Sequence, residues 1–312
     1  MSVRCRRVRA EVEKGTGGVD GKTRNMDVCT SSSTPQTEMF PSAPAPRPPS
    51  LWRKRLLEDR VQLPRFWPVI QNLVIQDLRV RYQRSVLGFF WTLLNPLLMM
   101  AILSWVFSVL FRSIQNYPVY LFAGLVPWSF LSGSVNECAL CIIANEGLIR
   151  KIFVPKLVFP LARILINLVT LLLSMGSLFL LLWPLGARPS LPMILLPAAI
   201  LLFVAFTLGL SLIVATANTF YRDCGHLVTV FFQAWYFATP IMYRAEDFPA
   251  ATQWRFRLNP AYYFIELFHD LVYFGKWPQF SSWLLAIVIA LASLGIGYAI
   301  FKSQEDKMVF RL

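Results

Sequence analysis

DLRVRYQRSVLGFFWTLLNPLLMMAILSWVFSVLF, residues 77–111, decides the fold. Its first eight residues hold Asp77, Arg79, Arg81 and Arg84, and the 27 residues from Ser85 to Phe111 hold no charge. About 20 apolar residues cross a hydrocarbon core of ~30 Å. An arginine-rich helix therefore runs into a membrane span, and its arginines mark the cytoplasmic side.

Working outward, residues 64–84 read as the amphipathic helix that leads into this span. Phe66, Val69, Ile70, Leu73, Val74 and Leu78 recur at three- and four-residue spacing, and Gln71, Asn72, Gln76, Asp77, Arg79 and Gln83 cover most of the other side. Such a helix is expected in the membrane interface. Residues 1–50 carry six prolines in their second half and scattered charge, a composition that buries no core and predicts disorder. TGGVDGKT, residues 16–23, imitates a phosphate-binding loop but has Thr16 where the first glycine belongs, and no apolar strand precedes it. Met26 and Met39 offer alternative starts.

Downstream the pattern repeats. The 312 residues are 56% hydrophobic and 15% charged, with a mean hydropathy of +0.52, against ~45–50% and ~25% in soluble domains. Six uncharged windows, 85–111, 113–136, 164–187, 189–221, 224–243 and 277–301, each hold one span. The expected fold is an all-α membrane protein with an N-terminal interfacial helix, a transmembrane domain over 51–312, and spans near 88–111, 118–141, 160–183, 191–217, 226–243 and 279–301. With both termini cytoplasmic, Lys and Arg number 15 in the inner segments and 6 in the outer ones, the expected bias. The net charge of +13 therefore marks membrane sidedness and not nucleic-acid binding. The five cysteines suggest no disulfide framework, and Cys138 and Cys141 sit in an apolar helix with no second ligand pair. No carboxylate falls mid-membrane, as ion-coupled transport usually needs, so the driving energy comes from elsewhere.

Two loops carry information. NEGLIRKIFVPKLVFP, residues 145–160, predicts a two-turn helix across the inner membrane surface. Asn145 can cap it and Pro155 ends it. Leu148, Ile149, Ile152 and Phe153 share one face; Glu146, Arg150 and Lys151 share the other. The segment after the fifth window, RAEDFPAATQWRFRLNPAYYFIELFHDLVYFGKWP, predicts a short helix near Phe248–Arg255 and another from Pro260, capped by Asn259 and closed by Gly275. The second helix, 15 residues and ~22 Å long, is too short to cross and too apolar for water, so it is expected to be re-entrant or interfacial. Glu266, His269 and Asp270 share a side, but a single Glu-x-x-His is half of a di-metal motif, and no metal is expected. Aromatic side chains offer flat apolar area, and Tyr and Trp add one polar handle. Phe89, Phe90 and Trp91 at the start of the first span, and Phe231, Phe232, Trp235, Tyr236 and Phe237 in the fifth, are candidates to line a channel or to face lipid as an interfacial belt. A Trp or Tyr at mid-membrane needs a partner that lipid cannot supply.

RYQRSVLGFFWTLLNP (81–96), YLFAGLVPWSFLSGSVN (120–136), ANEGLIRKIFVPKLVFPLA (144–162), ATANTFYRDCGHLV (215–228), ATPIMY (238–243) and LNPAYYFIELFHDLVYFG (258–275) together resemble the permease subunits of ABC-2 type polysaccharide exporters, for O-antigen, capsule or teichoic acid. The resemblance spans about residues 64–310. It implies a homodimer of six-span subunits in the bacterial cytoplasmic (inner) membrane, bound to two copies of a separate ATPase that holds Mg-ATP. The permease itself is expected to carry no cofactor and no catalytic residue. Its implied role is to export a lipid-linked polysaccharide, as in lipopolysaccharide biosynthesis. The family's coupling helix falls on Asn145–Phe153, with Asn145, Glu146, Leu148, Ile149, Arg150, Lys151 and Phe153 as candidate ATPase contacts. Its outer gate falls within 246–275, with Tyr262, Tyr263, Glu266 and Asp270. The turn into the first span falls on Arg81, Arg84, Leu87 and Gly88. Phe89, Phe90, Trp91, Phe232, Trp235 and Tyr236 are the channel set. Arg163 departs from the pattern, where a smaller residue is expected. Two other classes stay open: an ABC-2 permease for drugs or lipids, and a membrane-embedded glycosyl- or acyltransferase using His226 beside Asp223.

Overall fold

The computed structural model describes residues 64–82, 90–107, 114, 116–151, 154–182, 190–308 and 311. The tail over 1–50, and Arg84, Leu87, Gly88, Phe89 and Phe153, lie outside the described residues; of Arg81 and Phe90 only the backbone is described. Among the described residues every regular element is a helix. In order these are α1 (Trp67–Tyr82), α2 (Phe90–Phe107), α3 (Tyr117–Ala144), α4 (Glu146–Lys151), α5 (Val158–Leu182), α6 (Leu196–Phe220, entered through a 3-10 turn at Leu191–Leu195), α7 (Cys224–Ala238), α8 (Ala250–Arg257), α9 (Pro260–Phe268) and α10 (Phe280–Met308).

Among the described residues, four helical stretches are long and apolar enough to cross a membrane: Tyr117–Ala144, Val158–Phe179, Leu191–Phe220 and Phe280–Met308. They play different parts. Helix α3 is the most enclosed of the four. It is 72% buried over its apolar window, against 22% for α10, and it meets α2, α5, α6, α7 and α9. Helix α10 shows Phe280, Leu284, Val288, Leu291 and Ile296 outward and lays its small residues along α6, the most extensive pairing in the fold. At that crossing a Cβ on Gly209 would strike the Ser293 backbone, and one on Gly297 would strike the Gly209 carbonyl. Small residues let helix backbones approach this closely where lipid gives no hydrophobic drive to associate.

The apolar face of α1, with Ile70 buried and Val69, Leu73 and Val74 half-buried, packs on α5. Trp67, Ile75 and Val80 are the large apolar residues it leaves exposed. The window 224–243 differs from one continuous helix. Helix α7 ends at Ala238 because Pro240 follows, and the residue before a proline is driven to extended backbone; Thr239 has φ −104° and ψ 131°. The stretch Thr239–Ile241 is buried as irregular chain.

Candidate functional site

The α4 end of the bundle carries the predicted coupling helix. Asn145 joins α3 to α4, but not by a side-chain cap: its carbonyl accepts from the N–H groups of Leu148 and Ile149, both at 3.0 Å, while its Nδ2 donates back to the Cys141 carbonyl at 2.7 Å. On α4, Arg150 pairs with Glu146 at 2.6 Å on the exposed side, and Lys151 is exposed beside it. Leu148 and Ile149 are half-buried against this chain's own core. Leu148 therefore helps to seat α4 on its own subunit, with the charged face outward.

Arg163, the residue that departed from the family pattern, has a partner 86 positions away. Its guanidinium donates to Asp77 at 2.7 Å and ties α1 to α5. A cleft of about 270 Å³ opens beside the pair, lined by Gln76, Val80, Asn145, Phe159 and Ile166 among others. The two side chains are 27% and 23% exposed, so the pair contributes on the order of 1 kcal/mol. Asp77→Asn should lower Tm by only a few degrees. The swap of Asp77→Arg with Arg163→Asp should recover most of that loss, as a thermal melt in detergent would show.

At the opposite end, α9 runs into a π turn, His269–Phe274, closed by Gly275 at φ 59°. Single π turns of this kind gather at functional sites. Asn259 is the hub of this end. Its Oδ1 accepts from the Ala261 N–H at 3.0 Å, capping α9, and from Trp235 Nε1 at 2.8 Å; its Nδ2 donates to Thr239 Oγ1 at 2.8 Å. Trp235 thus finds its partner inside the subunit, so its N–H does not require a channel. Phe232 is buried at 5% exposure against Trp128 and so leaves the candidate channel set. Trp235 and Tyr236 are half-buried on the same indole, with ring centroids at 5.6 and 5.8 Å. Trp91 is exposed on α2.

Of the predicted gate residues, Tyr262 donates to Glu266 at 3.0 Å and Tyr263 to the Arg257 carbonyl at 2.9 Å. Burial raises the Glu266 carboxyl, and it raises Asp270 to about 6 while Lys276 pulls that group down. His269 is not with the two carboxylates. It is buried, stacked on Tyr120 at 4.1 Å, with Nε2 at 3.1 Å from the Tyr120 carbonyl. A carbonyl only accepts, so Nε2 carries the proton. Tyr120 in turn donates to the Tyr243 carbonyl at 2.9 Å, and Tyr117 to that of Met242 at 3.1 Å. These bonds fasten the irregular chain after α7 to the first turns of α3.

The family profile described as ABC-2 type transporter matches residues 68–273. The chain belongs to this family. Among its relatives, the O-antigen export system permease RfbA of Myxococcus xanthus is 31% identical over 76% of this chain and 92% of its own length. An O-antigen export permease RfbA of Klebsiella pneumoniae is 33% identical over 63% of this chain and 76% of its own length. The polysialic acid transport protein KpsM of Escherichia coli is 24% identical over 77% and 95%. As an ABC-2 permease the chain is a multi-pass membrane protein and not itself an enzyme.

Sequence reasoning missed the polar clasps that set the helices against one another. Asn218, fully buried, donates to the Ala139 carbonyl at 2.7 Å and accepts from the Gly225 N–H at 2.8 Å. Thr229 donates to Asn136 Oδ1 at 2.8 Å. The available signal was an amide within an apolar window, where a buried polar group needs a partner.

Proposed function

We propose that this chain is the permease subunit of an ATP-driven exporter that moves a polysaccharide, carried on a lipid, across the cytoplasmic membrane. The observation that carries it is near-full-length similarity to permeases named for O-antigen and polysialic acid transport, 92% and 95% of their lengths. On this reading the subunit crosses six times. Helices α2 and α7 join the four long stretches, and α8, α9 and the π turn form a re-entrant outer segment. Both termini and α4 are cytoplasmic. Two copies enclose the passage, and two copies of a separate ATPase, holding Mg-ATP, dock beneath. A strain lacking this chain should accumulate polymer inside the cell and lose it from the surface, with both restored by the wild-type gene. Normal surface polysaccharide in the deletion strain, scored by lectin or antibody staining, would contradict the reading.

The charged face of α4 supports the docking role assigned to it. Reversing both charges, Arg150→Glu with Lys151→Glu, should cut polymer export at least about tenfold, since buried charge pairs at interfaces cost several kcal/mol when one partner is lost. The folded permease should keep its Tm, because neither residue is buried. Unchanged export would make α4 a passive turn.

A further inference from the structure

A polar seam runs up the middle of the membrane-spanning bundle on its exposed side. On α3, Leu125 and Leu140 are separated by 15 positions, and the outward positions between them are Ser129, Ser132, Gly133 and Asn136. Glu137, on the flank of that row, accepts from Asn167 of α5 at 3.0 Å. On α7, His226, Thr229 and Gln233 recur at three- and four-residue spacing and are all exposed. The bond from Thr229 to Asn136, at 2.8 Å, fixes the register of the two helices. Antiparallel, they then bring Gln233 level with Ser132 and Tyr236 level with Ser129. Gln233 lies nine residues into α7, which is ~14 Å from its start and near mid-membrane.

Lipid cannot face such a seam. The seam's hydroxyls and the Asn136 amide find partners within the subunit, but Gln233 makes no hydrogen bond with the described residues, and an amide left so in hydrocarbon costs several kcal/mol. A second copy of the chain is a poor partner too. Ser129, Ser132 and Thr229 spend their hydroxyl protons on carbonyls or the Asn136 amide oxygen of their own subunit, so what remains outward is mostly acceptor oxygen. Two identical seams would meet mostly acceptor against acceptor, with the Gln233 amide of each copy as the one unspent donor group among the seam residues. Water and polyhydroxyl chains bring the missing donors. A Cβ added at Gly133 would meet nothing within 4 Å, so the middle of the seam is open.

We infer that Ser129, Ser132, Asn136, Thr229 and Gln233 form a hydrogen-bonding ladder along the translocation passage, accepting from the hydroxyl groups of the polysaccharide as it slides. This rests on the proposed function. The ladder complements the aromatic residues beside it: Tyr236 and Trp235 take the ring faces, and the seam takes the hydroxyl edges. Each contact is single and repeated every turn, so the polymer is held without being trapped.

Two measurements test it. In a chain whose five native cysteines are replaced by alanine, Gln233→Cys and Ser132→Cys are each introduced and membranes are treated with a charged, membrane-impermeant thiosulfonate or a lipid-phase maleimide. The ladder requires labelling by the charged reagent, and bulky labels should block export. Labelling only from the lipid phase, or a ready disulfide joining two copies through residue 233, would overturn it. Labelling needs no transport, so it reads the seam even if the chain moves some other cargo. Separately, Gln233→Leu should lower polysaccharide export about fivefold to tenfold, the cost of one lost polar contact, with chain level and Tm unchanged. Export at the wild-type rate would overturn the ladder alone; failure of the wild-type complex to export polysaccharide would instead overturn the function on which it rests.

Discussion

Gly297→Leu should leave no folded protein to assay. A single Cβ at that position already strikes the Gly209 carbonyl, and one at Gly209 strikes the Ser293 backbone. Backbone cannot move aside as a flexible side chain can, so α6 and α10 would have to part along their whole crossing. Overpacking a tight core costs about 1–3 kcal/mol, more where backbone must shift, and the most extensive helix pair in the fold is at stake. The expected result is loss of the monodisperse peak in size-exclusion chromatography. Gly295, two positions away on the same helix, has open space around its Cβ position. Gly295→Ala should be neutral or stabilise by a few tenths of a kcal/mol, since alanine favours the helix. Equal behaviour of the two variants would refute this account of the crossing.

Asn259→Leu is expected to leave a folded but clearly weakened protein, by a different route. The side chain fills all four of its hydrogen-bonding capacities, to Ala261, Trp235, Thr239 and, more weakly, the Ala238 carbonyl at 3.4 Å. Leucine of similar volume removes a helix cap worth about 1 kcal/mol and strands the Trp235 N–H at about 1–3 kcal/mol. The sum is a Tm drop of several degrees and a loss of export from misplaced α9. Asn259→Asp keeps both acceptor contacts and loses the donor to Thr239, so it should fall between leucine and wild type. A leucine variant with an unshifted melt and full export would show that the hub does not organise this end.

Much of this architecture was legible because it rests on local or periodic signals. Uncharged windows of more than twenty residues call for a spanning helix in lipid, and most of each of the helices α3, α5, α6 and α10 falls on one of them. Asn259 before Pro260, and Gly275 after an apolar run, are start and stop signals that need no tertiary context; the structure has the cap bond and the left-handed φ of 59°. The break at Thr239 was equally local, since Pro240 follows it, but the apolar length of 224–243 outweighs that single residue in a window count. What was not legible is pairing across the chain. Arg163 looked out of place until Asp77 met it from α1. Trp235 called for a polar partner, and only the fold brings Asn259 to it. Leu148 looked like a docking anchor because its face is apolar, yet the same apolarity seats α4 on its own core. The outward polarity of Gln233 and Ser132 emerges only when α3 and α7 are set side by side.

The most direct measurement of the central claim is transport in proteoliposomes. The purified chain, reconstituted with its cognate ATPase and supplied with lipid-linked polysaccharide on the ATPase side, should deliver polymer to the opposite side only when Mg-ATP is present, as read by protection from or exposure to an added glycosidase. The chain alone should neither hydrolyse ATP nor move polymer. Polymer movement without the ATPase, or ATP-driven complexes that leave the polysaccharide where it began, would contradict the account.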